Sequence, residues 1–135
     1  MLKTKQMLRI LSIFLIAIGM CSGMIACQKK NAYPESHFYQ TWQYEKYDGE
    51  LEVFRDETVD LPLIRGGRTQ YTFEKNGAFM KKETGRNDAY LFREGTWEYQ
   101  KEDSVVTLSF KDGTEESFEI EEMEADRMVI KPLMR

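Results

Sequence analysis

The chain has 135 residues, with 23 Asp and Glu against 19 Lys and Arg, one His and two Cys. A net charge of −4 repels phosphate backbones, so the basic footprint of a nucleic-acid binder is missing. With His37 as the only histidine, a multi-histidine zinc site and an H-E-x-x-H motif are excluded on residue supply.

The N-terminus carries the first element. Lys3, Lys5 and Arg9 precede an apolar run from Ile10 to Ala17 and on to Ile25, which ends in Met24-Ile25-Ala26-Cys27. A basic head, an apolar stretch and a small residue before the cut are the layout of a cleaved export signal. An uncleaved membrane helix needs about 20 apolar residues, and Gly19, Ser22 and Gly23 loosen the second half of this one. An ordinary secretory signal favours a small residue where Met24 stands, and Met20 makes Cys21 a poor rival to Cys27. The Met24–Cys27 motif resembles the lipobox of bacterial lipoproteins. That resemblance implies lipidation of Cys27 by a thioether-linked diacylglycerol and an N-acyl chain such as palmitate, so that the acyl chains bind the protein to a membrane. Gln28, in place of the Asp that retains such proteins in the inner membrane, implies the outer membrane of the cell envelope. Lys29 and Lys30 stand where a surface-export signal would place acidic residues.

Three segments follow: a signal peptide over 1–27 forming a signal helix, a flexible tether over 28–37, and one domain over 38–135. Loss of Lys3, Lys5 and Arg9 with the leader takes the net charge from −4 to −7 (three cations fewer). Both Cys21 and Cys27 fall in or at the end of the leader, so no disulfide is expected and stability must come from the core.

From Phe38 onward the pattern is β. Trp42 and Tyr44, Tyr71 and Phe73, Trp97 and Tyr99, Val106, Leu108 and Phe110, Phe118 and Ile120, and Met128 and Ile130 each alternate with polar or outward-type residues. Period-two alternation marks half-buried antiparallel strands. Asn76-Gly77, Asp112-Gly113 and Asp48-Gly49 lie between such runs and predict hairpins in which both turn residues adopt φ > 0. Gly66-Gly67 and Thr84 to Asp88 read as loops. Leu51 to Arg65, interrupted by Pro62, reads as a strand pair or a long loop, and Ile120 to Arg127 as a helical fragment or a strand end with a turn. The fold class is all-β: an antiparallel up-and-down meander of about eight strands, closed into a barrel because closure removes exposed edges.

Trp42, then Tyr71-Thr72-Phe73 with Asn76-Gly77, then Gly95-Thr96-Trp97-Glu98-Tyr99, resemble the small lipocalin-like lipoproteins of diderm bacteria. Val106-Thr107-Leu108, Asp112-Gly113 and Phe118-Glu119-Ile120 continue the likeness, which spans about residues 38 to 133. The resemblance implies a lipocalin-like β-barrel and carries fold further than function.

No nucleophile–base pair is legible, and no catalytic residue, cofactor or metal site is expected. The acidic pairs Glu115-Glu116, Glu121-Glu122, Asp56-Glu57 and Glu102-Asp103 sit beside turns or on polar parities, where a solvated face is the expectation. Lys81, Lys82, Arg86 and Arg93 read as a solvated hairpin balanced by Glu83, Asp88 and Glu94. The aromatics carry the ligand question: Trp42, Tyr44, Tyr71, Phe73, Trp97, Tyr99, Phe110 and Phe118 share inward parities. An eight-stranded barrel is wide enough either for packed side chains or for one small ligand, so these rings line a lumen or fill it. Trp42 is expected to plug one end beneath an arginine such as Arg127 by a cation–π contact. Two readings result: a non-enzymatic, lipid-anchored protein binding a small apolar or amphipathic ligand, or a structural lipoprotein with a filled barrel that docks an envelope protein partner.

Overall fold

The computed structural model describes residues 32–134, with backbone alone at Met134. The leader, its signal helix, Cys27 and residues 28–31 lie outside the described residues. A short 3-10 turn, Glu35–His37, leads into eight strands: β1 (Thr41–Asp48), β2 (Leu51–Asp56), β3 (Gln70–Phe73), β4 (Ala78–Thr84), β5 (Tyr90–Gln100), β6 (Val105–Phe110), β7 (Glu115–Met123) and β8 (Arg127–Met134). They form one closed antiparallel barrel in the order β1-β2-β8-β7-β6-β5-β4-β3. The eight-stranded antiparallel barrel is therefore the one expected from the alternation, and Ile120 to Arg127 resolves into a strand end and a turn.

One link departs from a plain meander. β3 pairs with β1, Trp42 opposite Tyr71, while β2 pairs with β8, Val53 opposite Val129. Residues 57–69 therefore pass along the outside of β1 from one end of the barrel to the other. They are fastened there by outward-facing polar groups. Gln43 Nε2 donates to the Val59 carbonyl at 2.8 Å, and the Arg68 guanidinium donates to the carbonyls of Tyr44 and Glu45 at 2.9 and 3.2 Å. The section from Leu51 to Arg65 is thus one strand followed by part of this crossover.

The hairpin turns fall where predicted but are built differently. Gly49, Gly77 and Gly113 have φ of 64°, 88° and 85°, whereas the preceding Asp48, Asn76 and Asp112 are not in the positive-φ region. At β3–β4 the Gly77 N–H donates to the Glu74 carbonyl at 3.0 Å and the Glu74 N–H to the Ala78 carbonyl at 2.9 Å. The same pattern joins Phe110, Gly113 and Thr114 at β6–β7. These are three-residue loops, in which only the glycine must be left-handed. The Asn76 and Asp112 carboxamide and carboxylate earn their place otherwise, accepting the N–H of Ala78 and Thr114 at 2.9 Å.

The barrel ends differ. At the end where the chain enters, here the lower end, Phe38 is fully buried and its ring lies 5.6 Å from Phe73, 5.3 Å from Trp97 and 4.9 Å from Tyr99. Tyr33, inside the segment read as a tether, is already docked: its N–H donates to the Tyr99 hydroxyl at 3.0 Å and its own hydroxyl to the Glu121 carbonyl at 2.7 Å. Above this plug, Trp42, Phe54, Phe73, Leu108, Ile120, Met128 and Ile130 are buried, each side chain contributing about 1.5–3 kcal/mol of transfer free energy. This half is solid.

Candidate functional site

The upper half is open. A cavity of about 440 Å³ is lined by Tyr44, Tyr47, Glu52, Tyr71, Lys81, Glu83, Arg93, Glu116, Phe118 and neighbours at the upper strand ends. Its floor is the top of the aromatic core. The Tyr71 ring stacks on Phe54 at 4.8 Å and on Phe118 at 6.1 Å, and meets Phe79 at 5.7 Å. Of the eight inward aromatics, Tyr44, Tyr71 and Phe118 line this cavity. Trp42, Phe73, Trp97, Tyr99 and Phe110 do not; they belong to or pack against the solid core beneath it. The physical reason is position along the strands: Trp42, Phe73, Trp97 and Tyr99 lie near the strand ends that meet the Phe38 plug, while Phe110 packs on Phe79 at 5.9 Å under a guanidinium lid.

Trp42 is fully buried, but the expected cation–π contact with Arg127 is absent among the described residues. Arg127 pairs with Glu122 instead, a neighbour across the β7–β8 hairpin that offers a full charge rather than a ring quadrupole.

Charges line the cavity where apolar walls were the expectation for an inward face. Lys81 Nζ lies 3.1 Å from both Glu116 carboxylate oxygens and 3.2 Å from Glu83. Arg93 donates to Glu116 at 2.8 Å and to the Thr114 hydroxyl at 2.6 Å, with Asp112 at 3.5 Å. Its guanidinium carbon also sits 3.7 Å from the Phe110 ring centroid. Lys81 reaches Glu116 from β4 to β7, past β5 and β6, so the network bridges the lumen and caps the aromatic core.

Sequence reasoning missed these residues for a definite reason. The basic run around Gly85 reads as one solvated group, yet parity divides it. Lys81 shares the face of Phe79, and Arg93 the face of Gly95 and Trp97, whereas Lys82 lies outside with its Nζ 3.9 Å from the Tyr90 ring. Glu116 likewise shares the face of Phe118. Gly95 is part of the same design: a Cβ there would lie 2.0 Å from the Ser109 carbonyl oxygen and 2.8 Å from Phe110 Cα, so only glycine lets β5 and β6 approach beneath Arg93.

Opposite this network stands a second wall. A bulge in β1 between Tyr44 and Lys46 changes the register, so that Lys46 opposes Val53 and Tyr47 opposes Glu52. The extra residue turns Tyr47, rather than Lys46, to the inner face beside Tyr44, ring centroids 5.2 Å apart. Such re-aiming of a side chain is what bulges do. Glu52 is buried, 6% exposed. The Tyr44 phenol is held above its ordinary range, first by desolvation and then by Tyr47 and Glu52, with Arg68 opposing. At the rim the Asp112 carboxyl is held below its ordinary range, chiefly by the Thr114 hydroxyl and then by its N–H. Among the described residues no group of three or more His, Cys, Asp or Glu gathers to hold a metal ion.

This arrangement can bind; it presents opposed charge, phenol hydroxyls and ring faces around a space of small-molecule size. Comparison with known proteins bears on the fold that carries it. No curated protein and no solved structure matches the chain. A family profile described as a lipocalin-like domain matches residues 39–130, a span from the lower plug through β1 and the crossover to the middle of β8, and the chain belongs to that lipocalin-like family.

Proposed function

We propose that this is a lipid-anchored envelope lipoprotein, held by acyl chains on Cys27, whose non-catalytic barrel binds a small amphipathic ligand at its upper mouth. The observation that carries the reading is the 440 Å³ cavity above a solid aromatic floor, within the size range of small-molecule sites. Its mixed lining favours the amphipathic over the purely apolar alternative, because an alkyl chain laid on Lys81, Arg93 and Glu116 would strip water from charges without replacing its hydrogen bonds.

The anchor reading adds an orientation. The chain enters the barrel at its closed end, where Tyr33 docks, so an anchor at Cys27 leaves the mouth facing away from its own membrane. Ligand then exchanges with the aqueous envelope. A second reading, docking of an envelope protein, draws on Leu63 and Ile64 in the crossover and Tyr90 and Phe92 on β5, all exposed.

Native mass spectrometry of the protein taken from its own envelope tests ligand carriage: a reproducible added mass is expected, lost on replacing Glu52 and Tyr44 together. A bare protein mass, with no added compound shifting the Tyr44 or Tyr71 resonances, refutes it. Cys27→Ala should move the protein from the membrane to the soluble envelope fraction, and unchanged membrane retention refutes the lipid anchor.

A further inference from the structure

β5 outruns its neighbour β6, and the difference leaves backbone unpaired. β4 and β5 pair from Ala78 opposite Thr96 to Thr84 opposite Tyr90, whereas β6 joins β5 only from Gly95 opposite Phe110 downward. The Trp97 N–H donates to the Gly77 carbonyl and the Gly85 N–H to the Ala89 carbonyl, so odd-numbered residues of β5 bond towards β4. The Lys111 N–H donates to the Glu94 carbonyl, so even-numbered residues bond towards β6. Tyr90 and Phe92 therefore aim their N–H and C=O groups into a slot where β6 has already ended. At its foot is a notch of about 300 Å³ lined by Phe92, Arg93, Glu94, Phe110, Lys111 and Asp112.

The side chains along the slot are apolar. Tyr90, Leu91 and Phe92 are 49%, 51% and 58% exposed. An open, apolar strand edge is a template for one more strand. A strand set about 4.8 Å away would satisfy the free N–H and C=O groups and lay alternate residues against Tyr90 and Phe92 on the outer face. A lipid surface would cover the rings yet leave those backbone groups with neither water nor partner. A second copy of the chain, pairing edge to edge across a twofold axis, would point the two chain-entry ends in opposite directions. Two chains anchored through Cys27 in one membrane cannot meet that way. Charge adds a constraint at the head of the slot. Lys82 rests there on a ring rather than a carboxylate, its Nζ 3.9 Å from the Tyr90 centroid, and with Arg86 it outnumbers Asp88.

We infer that the β5 edge docks an extended segment of another envelope protein, added antiparallel beside Tyr90 to Phe92. The segment carries β-branched or aromatic residues at alternate positions and acidic residues at its C-terminal end. Antiparallel addition continues the pairing of β4 with β5, and it runs the segment from the notch to the head of the slot, where Lys82 and Arg86 meet its acidic end. The choice of another protein over a second copy rests on the lipid-anchor reading. The edge itself does not depend on ligand binding in the mouth.

The test is NMR titration of the full chain with a blocked eight-residue peptide of alternating valine and threonine that ends in two glutamates. In the free chain the Tyr90 and Phe92 amides should exchange with water about ten-fold or more faster than those of Leu91 and Arg93, which face β4. The peptide should shift the Tyr90 and Phe92 amides and slow their exchange about ten-fold or more. Methylating every second amide of the peptide should abolish binding in one phase and leave it within about three-fold in the other, because one side of the added strand faces the slot. Ending the peptide in two lysines should weaken it by about three-fold at low salt. Phe92→Pro removes a donor on the open side of the edge, where proline is tolerated, and should weaken the peptide about ten-fold or more. Should that variant fail to fold, the methylated peptides decide the matter on the unaltered chain. Equal binding in both methylation phases, slow exchange of the Tyr90 and Phe92 amides in the free monomer, or no shift at about 2 mM peptide overturns the proposal. Shifts confined to Tyr44, Tyr71 and Phe118 overturn the edge while leaving a ligand site in the mouth. Dimers of the chain alone that protect the same two amides assign the edge to a second copy, overturning the proposed partner and counting against anchorage in one membrane.

Discussion

The two halves of this barrel are made from the same eight strands and the same inward parity, yet they are different materials. Below, Phe38, Phe73, Trp97 and Phe79 interlock with centroid separations of 5.0–5.6 Å. Above, the inward positions of β2, β4, β5 and β7 carry Glu52, Lys81, Glu83, Arg93 and Glu116 around open space. A strand's alternation fixes which side chains point in; their chemistry, position by position, decides whether the interior is core or site. The boundary runs through Tyr71, whose ring belongs to both.

The sharpest way to break the contrast is to hollow the solid half. Phe73→Ala is expected to lower stability by about 3–5 kcal/mol, read as a shift of the urea midpoint. A loss below 1 kcal/mol would mean that the lower rings do not form a packed core. Next comes the junction between the halves. Gly95→Ala drives a Cβ into the Ser109 carbonyl, and the strand shift should reduce stability by about 1–3 kcal/mol while displacing the Arg93 and Phe110 resonances together.

The charged half should be cheaper to disturb. Glu116→Ala removes the shared partner of two cations whose side chains are 12% and 24% exposed, for an expected loss of about 1–2 kcal/mol, between surface and buried pairs. Adding Lys81→Met should recover part of that loss, and strictly additive effects would show that the two do not interact.

The smallest effect is a pH dependence at the mouth. Burial, then Tyr47 and Glu52, raise the folded-state pKa of Tyr44. The unfolded chain's phenol ionises near its ordinary value of about 10, so the folded state holds the proton more tightly. The contribution of Tyr44 is thus fully present below about pH 10. It is lost as pH rises through the folded pKa. Tyr39 is also held above the ordinary phenol range, by desolvation and then by Glu35, so ultraviolet phenolate titration should show delayed tyrosines of which one vanishes in Tyr44→Phe. On the acid side the sign reverses for Asp112, whose depressed pKa contributes stability that fades as pH falls through it.

Most of the barrel was legible because half-buried strands repeat every two residues and Asn76-Gly77 and Asp112-Gly113 mark their reversals. The crossover was not. Residues 57–69 bury no alternating face, and they are held along β1 by hydrogen bonds from Gln43 and Arg68 that no local pattern announces. In the site, Tyr44, Tyr71 and Phe118 were legible as inward aromatics. Lys81, Arg93 and Glu116 were obscured because charged residues suggest solvent, although their parity placed them inside. Tyr47 was obscured by the β1 bulge, a one-residue slip invisible without the partner strand.

The crossover also dictates a timetable for closure. Five hairpins, β3 through β8, link neighbours in the chain and can zip locally, but β2 must find β8, joining Glu52 to Ile130. Contacts between such remote segments are entropically slow to form. The β2–β8 seam is accordingly where the ring is expected to shut last on refolding, and Glu52, one wall of the mouth, sits directly on it.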